Sequence, residues 1–219
     1  MADNTPSGSP SQMASSSPDA SSLPLLLASS SRYRAALLER LKLPFIQASP
    51  DIDETPKADE SPRDYVERLA VAKAHALRGS YPQHWIIGSD QCCITDGHIV
   101  GKPHTHENAL AQLKRVQGKR IEFLTGLALL APDGQCWSLV EPFNVHFRSL
   151  PDEQLIQYLN IEQPLDCAGS FKVEGLGITL FSALEGRDSN SLIGLPLIGL
   201  CDLMTEAGIA PLTLAGVHN

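Results

Sequence analysis

The residues best equipped for chemistry fall in four short stretches. Ser29-Ser30-Ser31 precedes Arg34, an acidic loop runs Asp51-Ile52-Asp53-Glu54, Lys73 interrupts an apolar helical stripe, and Asp90-Gln91 follows Trp85-Ile86-Ile87. Asp90 is the carboxylate that most needs explaining. A short buried strand of Trp85 to Ile87 delivers it directly, and Gly88 leaves room for another backbone or a ligand to come close. A carboxylate at a rigid strand end is placed for general-base work, whereas the plain alternative is a polar exit toward a hairpin turn at Asp96-Gly97. The three serines open a helix, where their hydroxyls and free N–H groups either cap the first turn or receive an anion beside Arg34. Lys73 lies on the inward side of its helix, in line with Val66 and Leu69. A lysine there either snorkels to solvent or meets an anion. Acidic loops such as Asp51 to Glu54 are most often simply solvated.

These groups need a scaffold, and the periodicity predicts one. Leu25 to Ala28 reads as a buried strand running into the serine turn, and Ala35, Leu37, Leu38 and Leu41 give a helical face up to about Lys42. Pro44 to Ala48 is a second strand. Ser61-Pro62 starts a helix carrying Val66, Leu69, Ala70, Ala74 and Leu77, with serine as cap and proline at the first position. Cys92 to Thr95 and His98 to Val100 should form a hairpin ending at Gly101-Lys102-Pro103. Thr105 caps a helix that stops at Gly118, and Arg120 to Leu130 with Cys136 to Arg148 should pair antiparallel around Pro132-Asp133-Gly134. A short helix from about Pro151 to Asn160, a strand from Ile178 to Leu184, a turn through Glu185 to Asn190, and a helix from Pro196 to about Gly208 complete the pattern. The alternation makes this a mixed α/β protein.

The totals narrow the function. A chain of 219 residues with 42% hydrophobic content has enough apolar mass for a substantial core. Its formal net charge of −8 provides no basic field for a polynucleotide or an anionic membrane, although small phosphorylated ligands need only a few placed cations. Five cysteines without a C-x-x-C pair or zinc-like histidine spacing read as reduced thiols, and no apolar run suits a membrane span or a secretory signal. The expected location is cytoplasmic. Residues 1–22, rich in serine and proline and without a branched aliphatic or aromatic side chain to pack, are expected to be a disordered tail, and Ala210 to Asn219 a loose end. The folded domain is then 23–208.

Taken in order, Leu27-Ala28-Ser29-Ser30-Ser31-x-x-Arg34, Asp53-Glu54-Thr55-Pro56, Arg68-Leu69-Ala70-x-x-Lys73-Ala74, Gly88-Ser89-Asp90-Gln91, Gly101-Lys102-Pro103, Ala168-Gly169-Ser170-Phe171-Lys172 and Gly194-Leu195-Pro196 resemble the motifs of the Maf family of nucleotide pyrophosphatases. The match runs from about residue 23 to about Gly208. Gln91, Phe171 to Gly175 and Glu185 to Asp188 make the chain most similar to the 7-methyl-GTP pyrophosphatase subfamily, with Tyr33 standing where that subfamily typically has tryptophan. The resemblance implies a fold shared with the inosine triphosphatases, a mixed sheet with flanking helices in two lobes around a central cleft. It also implies hydrolysis of a nucleoside triphosphate to the monophosphate and pyrophosphate with a divalent metal cation, Mg2+ or Mn2+. By the same resemblance Asp90 is the proton acceptor, Glu54 and Asp90 share the metal, and Ser29, Ser31, Arg34, Lys73 and Lys102 face the phosphates. Tyr33, Gln91 and Glu174 would select the base. The expected partner is a small nucleotide, with neither polynucleotide nor membrane, and a homodimer is left open. Three rival readings are a UTP/dTTP pyrophosphatase of the same family, which typically carries other residues at Tyr33, Gln91 and Glu174, a non-catalytic nucleotide-binding regulator of cell division, and a general house-cleaning hydrolase for damaged nucleotides with broad base tolerance.

Overall fold

The computed structural model describes residues 24–215, so the tail expected at 1–22 lies outside the described residues. The strands are β1 (Leu25–Ala28), β2 (Phe45–Ala48), β3 (Trp85–Thr95), β4 (His98–Val100), β5 (Arg120–Leu130), β6 (Cys136–Phe147) and β7 (Phe181–Gly186). The helices are α1 (Arg32–Glu39), α2 (Pro62–Leu77), α3 (His106–Val116), α4 (Asp152–Glu162), α5 (Leu197–Glu206) and α6 (Pro211–Ala215). The seven strands make one mixed sheet in the order β2-β1-β3-β5-β6-β7, with β4 paired to β3 beside this path. β1 is parallel to both β2 and β3, and every other pairing is antiparallel.

Three expectations need correction. β3 does not stop at Ile87, because β5 pairs with it from Ile86 through Ile94, and Asp90 therefore sits in mid-strand opposite Gly126. The last strand begins at Phe181, since Leu176–Leu180 is wound into a 3-10 turn whose Gly177 amide donates to the Lys172 carbonyl. Part of the expected loose C-terminus, Pro211–Ala215, is helical. The predicted hairpins of β3 with β4 and of β5 with β6 are present, as is the mixed α/β class.

Helix α2 begins as its sequence dictates, with Pro62 at its start, the Ser61 hydroxyl accepting from the Asp64 amide at 3.1 Å, and Asp64 complementing the positive helix end. Val66, Leu69, Ala70 and Ala74 are fully buried against the sheet. Burying the valine and leucine stabilises the packing by about 1.5–3 kcal/mol each. Two glycines let the helix come down onto the strands. A Cβ on Gly88 of β3 would stand 2.0 Å from the Ala70 carbonyl oxygen, and one on Gly126 of β5 would stand 2.1 Å from that of Val66.

The main apolar clusters lie toward the two ends of the sheet. One joins α3 and α4 to Ile121, Phe123, Phe143, Val145 and Phe147, with Phe171 and Phe181 packed edge-to-face. The other joins α1 and α5 to Leu25, Leu27, Ile87, Leu127 and Leu129. Smaller clusters on the α2 side take Leu124 and Leu130, so β5 contributes to all four. No helix among the described residues is long and apolar enough to cross a membrane.

Candidate active site

The site occupies a gap in the sheet. Along one edge of β3, β1 pairs only as far as Gly88 and β4 begins only at Cys93, so Ser89, Asp90, Gln91 and Cys92 have no strand partner there. On the other edge β5 holds all four in register. Side chains alternate across a strand, so Asp90 leans toward α2 and Gln91 toward the 3-10 turn Ser189–Ile193, yet both border the same cleft because the edge between them is open. The cleft encloses about 790 Å³. Ligands of α/β sheets commonly bind beyond the carboxyl ends of parallel strands, and the ends of β1 and of its parallel pairing with β3 open here.

Asp90 is 7% exposed and Lys73, also 7% exposed, donates to its Oδ1 at 2.6 Å. The same ammonium lies 2.8 Å from Glu54 Oε1. Of the two fates open to an inward lysine, the structure shows the anion. Burial opposes ionisation of Glu54, but the Lys73 hydrogen bond and the charges of Lys73, Lys102 and Arg34 outweigh it and hold its carboxyl below the ordinary range. The acidic loop is tied to α2 rather than left in solvent. The Tyr65 hydroxyl donates to the Glu54 carbonyl at 3.1 Å, and Arg68 donates to the Thr55 carbonyl at 3.2 Å while pairing with Glu60. Cys92 borders the cleft, but burial and nearby Asp90 push its thiol up to about 12, which removes it as a nucleophile at neutral pH.

Ser29, Ser30 and Ser31 form another wall. Ser31 is the N-cap of α1, accepting from the Arg34 amide, and Ser29 Oγ accepts from the Ser31 amide at 3.1 Å. Gln47 of β2 fixes the turn by donating to the Ser29 carbonyl at 2.6 Å. Arg34 is aimed by the Gly194 carbonyl, which accepts from its Nε at 2.7 Å and from Ser89 Oγ at 2.8 Å. Burial lowers the Arg34 pKa, with the charges of Asp90 and Glu54 opposing that effect, and a guanidinium is basic enough to stay a cation in a protein. Lys102 borders the cleft from the loop after β4. An acidic protein thus gathers Arg34, Lys73 and Lys102 around one opening.

Of the expected base-reading residues, Tyr33 and Gln91 border the cleft and Glu174 does not. Glu174 is exposed on the turn that follows Phe171. Both donor hydrogens of Gln91 are directed into the protein, Nε2 reaching the Ser191 carbonyl at 2.5 Å and Thr125 Oγ1 at 3.3 Å, so its Oε1 is the atom left for a ligand. The carboxylate that does border this end is Asp166, which sequence reasoning did not single out. It passed over Gln47 and Tyr65, and it named Ser89 and Gly194 only as motif positions without a role, because their contacts come from distant segments.

Glu54 and Asp90 suit a divalent cation. Both already converge on the single Lys73 ammonium, and hard oxygen donors are what Mg2+ or Mn2+ takes, with water and phosphate oxygens completing its shell. Among the described residues no set of three or more His, Cys, Asp or Glu side chains gathers, so the protein itself offers two such ligands.

The family model described as Maf-like protein matches residues 24–207. The chain is 55% identical over 186 residues to the 7-methyl-GTP pyrophosphatase of Pseudomonas aeruginosa, covering 84% of this chain and 97% of that one. It is 54% identical over 189 residues to the 7-methyl-GTP pyrophosphatase of Chromohalobacter salexigens, covering 86% and 98%. Among solved structures it is similar to the Staphylococcus aureus Ham1 protein, at 13% identity and a TM-score of 0.49, covering 84% of this chain and 99% of that one.

Proposed function

The chain belongs to the Maf-like family, and from that premise we propose that it hydrolyses 7-methyl-GTP to 7-methyl-GMP and pyrophosphate, clearing modified nucleotides. The observation that carries this reading is one cleft bringing Arg34, Lys73 and Lys102 together with the convergent carboxylates of Glu54 and Asp90 and the ring of Tyr33, in a chain more than half identical to two proteins of that name.

The triphosphate lies toward Arg34, Lys73 and Lys102, with the amides and hydroxyls of the serine turn at the start of α1 taking phosphate oxygens. Cleavage between the α and β phosphates develops charge on the leaving pyrophosphate, and these fixed cations stabilise it. Asp90 accepts the proton of the attacking water, and the rigid β3–β5 pairing holds it in place. Glu54 and Asp90 are the residues that hold Mg2+ or Mn2+. When bound, the metal supplies charge neutralisation and a more acidic water. The base lies against Tyr33, and Gln91 Oε1 accepts from its N–H edge. A guanine presents such donors.

Pyrophosphate release from 7-methyl-GTP, GTP, UTP and dTTP, each with and without Mg2+ or Mn2+, tests this reading. The expected result is metal-dependent turnover favouring 7-methyl-GTP. Preference for UTP or dTTP would assign the chain to a different substrate, and no release from any triphosphate would leave only binding.

A further inference from the structure

The cleft is also lined by two charged side chains, Arg32 and Asp166, that the proposed reaction does not yet use. Arg32, in the first turn of α1, lays its guanidinium over Tyr33 with Cζ 4.9 Å from the ring centroid, and its Nη2 donates to the Tyr33 hydroxyl at 2.9 Å. Asp166 borders the same cleft and forms no ion pair among the described residues. The Cys167 thiol donates to its Oδ1 at 3.5 Å. The Tyr33 hydroxyl raises the Arg32 pKa most, and the charge of Asp166 adds a small effect in the same direction.

The loop that presents Asp166 is pinned. The His104 amide donates to the Leu165 carbonyl at 3.1 Å, joining it to the segment that carries Lys102. Ser170 Oγ donates to Gln112 Oε1 at 2.5 Å, while Gln112 Nε2 donates to the Gly101 carbonyl at 3.2 Å. Ser170 is buried at φ 62°, a left-handed conformation that costs a non-glycine residue of order 1 kcal/mol or more, and Gly169 beside it has φ 77°. Asp166 to Ala168 thus lie between two anchored points, Leu165 and Ser170.

A lone carboxylate facing a triphosphate would oppose binding, so Asp166 must serve the base end of the ligand. An exposed carboxylate gains little from a neutral base but is attracted to a cationic one. Resting on the reading of 7-methyl-GTP as substrate, we propose that Tyr33 and Asp166 form a subsite for the positively charged purine, and that Arg32 occupies this subsite when no nucleotide is bound. Arg32 is a planar cation on an aromatic face with a carboxylate lining the same cleft, the arrangement that an N7-methylated purine would adopt on binding. The ligand therefore exchanges one cation for another, and Asp166 distinguishes the methylated base from guanine through charge.

The test compares KM for 7-methyl-GTP and GTP, together with inhibition by 7-methyl-GMP and GMP as a readout that does not depend on turnover. Asp166→Asn should narrow the preference for the methylated ligand by about three- to tenfold in both measurements, the scale of a partly screened charge and a cation–π contact. Asp166→Glu should restore most of it. Arg32→Gln should tighten both ligands by about two- to threefold, because each must displace the internal competitor. An unchanged ratio in Asp166→Asn, a shift that appears in Glu174→Gln instead, or a loss in Arg32→Gln equal for both ligands would each overturn the inference while leaving the wild-type preference for 7-methyl-GTP in place. A wild-type protein that does not prefer 7-methyl-GTP would refute the substrate reading itself, and the subsite with it.

Discussion

Gly88→Ala tests how the seating of α2 governs the chemistry. The added methyl would lie 2.0 Å from the Ala70 carbonyl oxygen and 3.0 Å from the Ala74 amide nitrogen, whereas carbon and oxygen approach each other to about 3.3 Å. The obstacle is backbone, so no side chain can turn aside. The turn from Ala70 to Ala74 has to retreat by about 1.3 Å, and Lys73 lies within it. Overpacking of this kind costs about 1–3 kcal/mol. At roughly 2–4 °C per kcal/mol for a chain of this size, the upper part of that range corresponds to a fall in Tm of about 6–12 °C. With ordinary stabilities of about 5–15 kcal/mol the variant stays folded at 25 °C, so any loss of turnover there reports misplacement rather than unfolding. A 1 Å error in a catalytic constellation costs about a hundredfold, and kcat/KM for pyrophosphate release should fall on that scale. Thermal melting and steady-state kinetics on the same preparation check both numbers. A variant with wild-type Tm and wild-type kcat/KM would refute the packing argument, and one that melts early but keeps full activity would detach the position of Lys73 from that of its helix.

Three further outcomes are expected. Asp90→Asn keeps the shape of the side chain and removes the proton acceptor, so kcat should drop by about a hundredfold or more in a protein that still melts cooperatively. Gln112→Ala unpins the loops of Lys102 and Asp166 from each other, and as a positioning residue it should raise KM several-fold while kcat changes little; Gln112→Glu, which still accepts from Ser170, should recover part of the loss. Glu60, held to about 2 chiefly by its Arg68 hydrogen bond, has a folded pKa below its ordinary value of 4.5. Its contribution to stability is complete above about pH 4.5 and lost as pH falls toward about 2. Urea midpoints of wild type and Glu60→Gln should differ at pH 6 and converge near pH 2, and a difference that persists undiminished at pH 2 would count against the pair.

Helix α2, the hairpin of β5 with β6 and the capped helix α3 were legible because each rests on local signals, a cap, a stripe or a turn. Lys73 was legible as an anomaly, since its place on a buried stripe required an explanation that Glu54 and Asp90 supply. The mid-strand position of Asp90 was not. Polar residues at 89 to 91 look like a strand end, and only the pairing with β5, whose sequence lies more than thirty residues away, carries the strand through them. The same reason hid the contact between Ser89 and Gly194, which meet across 105 positions of sequence. Glu174 was expected at the base end from a motif, but the 3-10 turn after Gly175 leaves it on the surface, while Asp166 precedes the motif and enters the cleft on a loop that the Gln112 hydrogen bonds shape.

Since β5 supplies side chains to every apolar cluster, no cluster is able to melt without loosening a strand that the others also grip. Unfolding is therefore cooperative along the sheet, and amides near the middle of β5 belong to the last group to exchange with solvent. The same continuity makes the sheet the stiff part of the molecule. Whatever movement admits a nucleotide belongs to the segments around the rim, Asp51 to Glu60, Gly101 to His104 and Asp166 to Ser170, while the floor that carries Asp90 keeps its shape throughout the cycle.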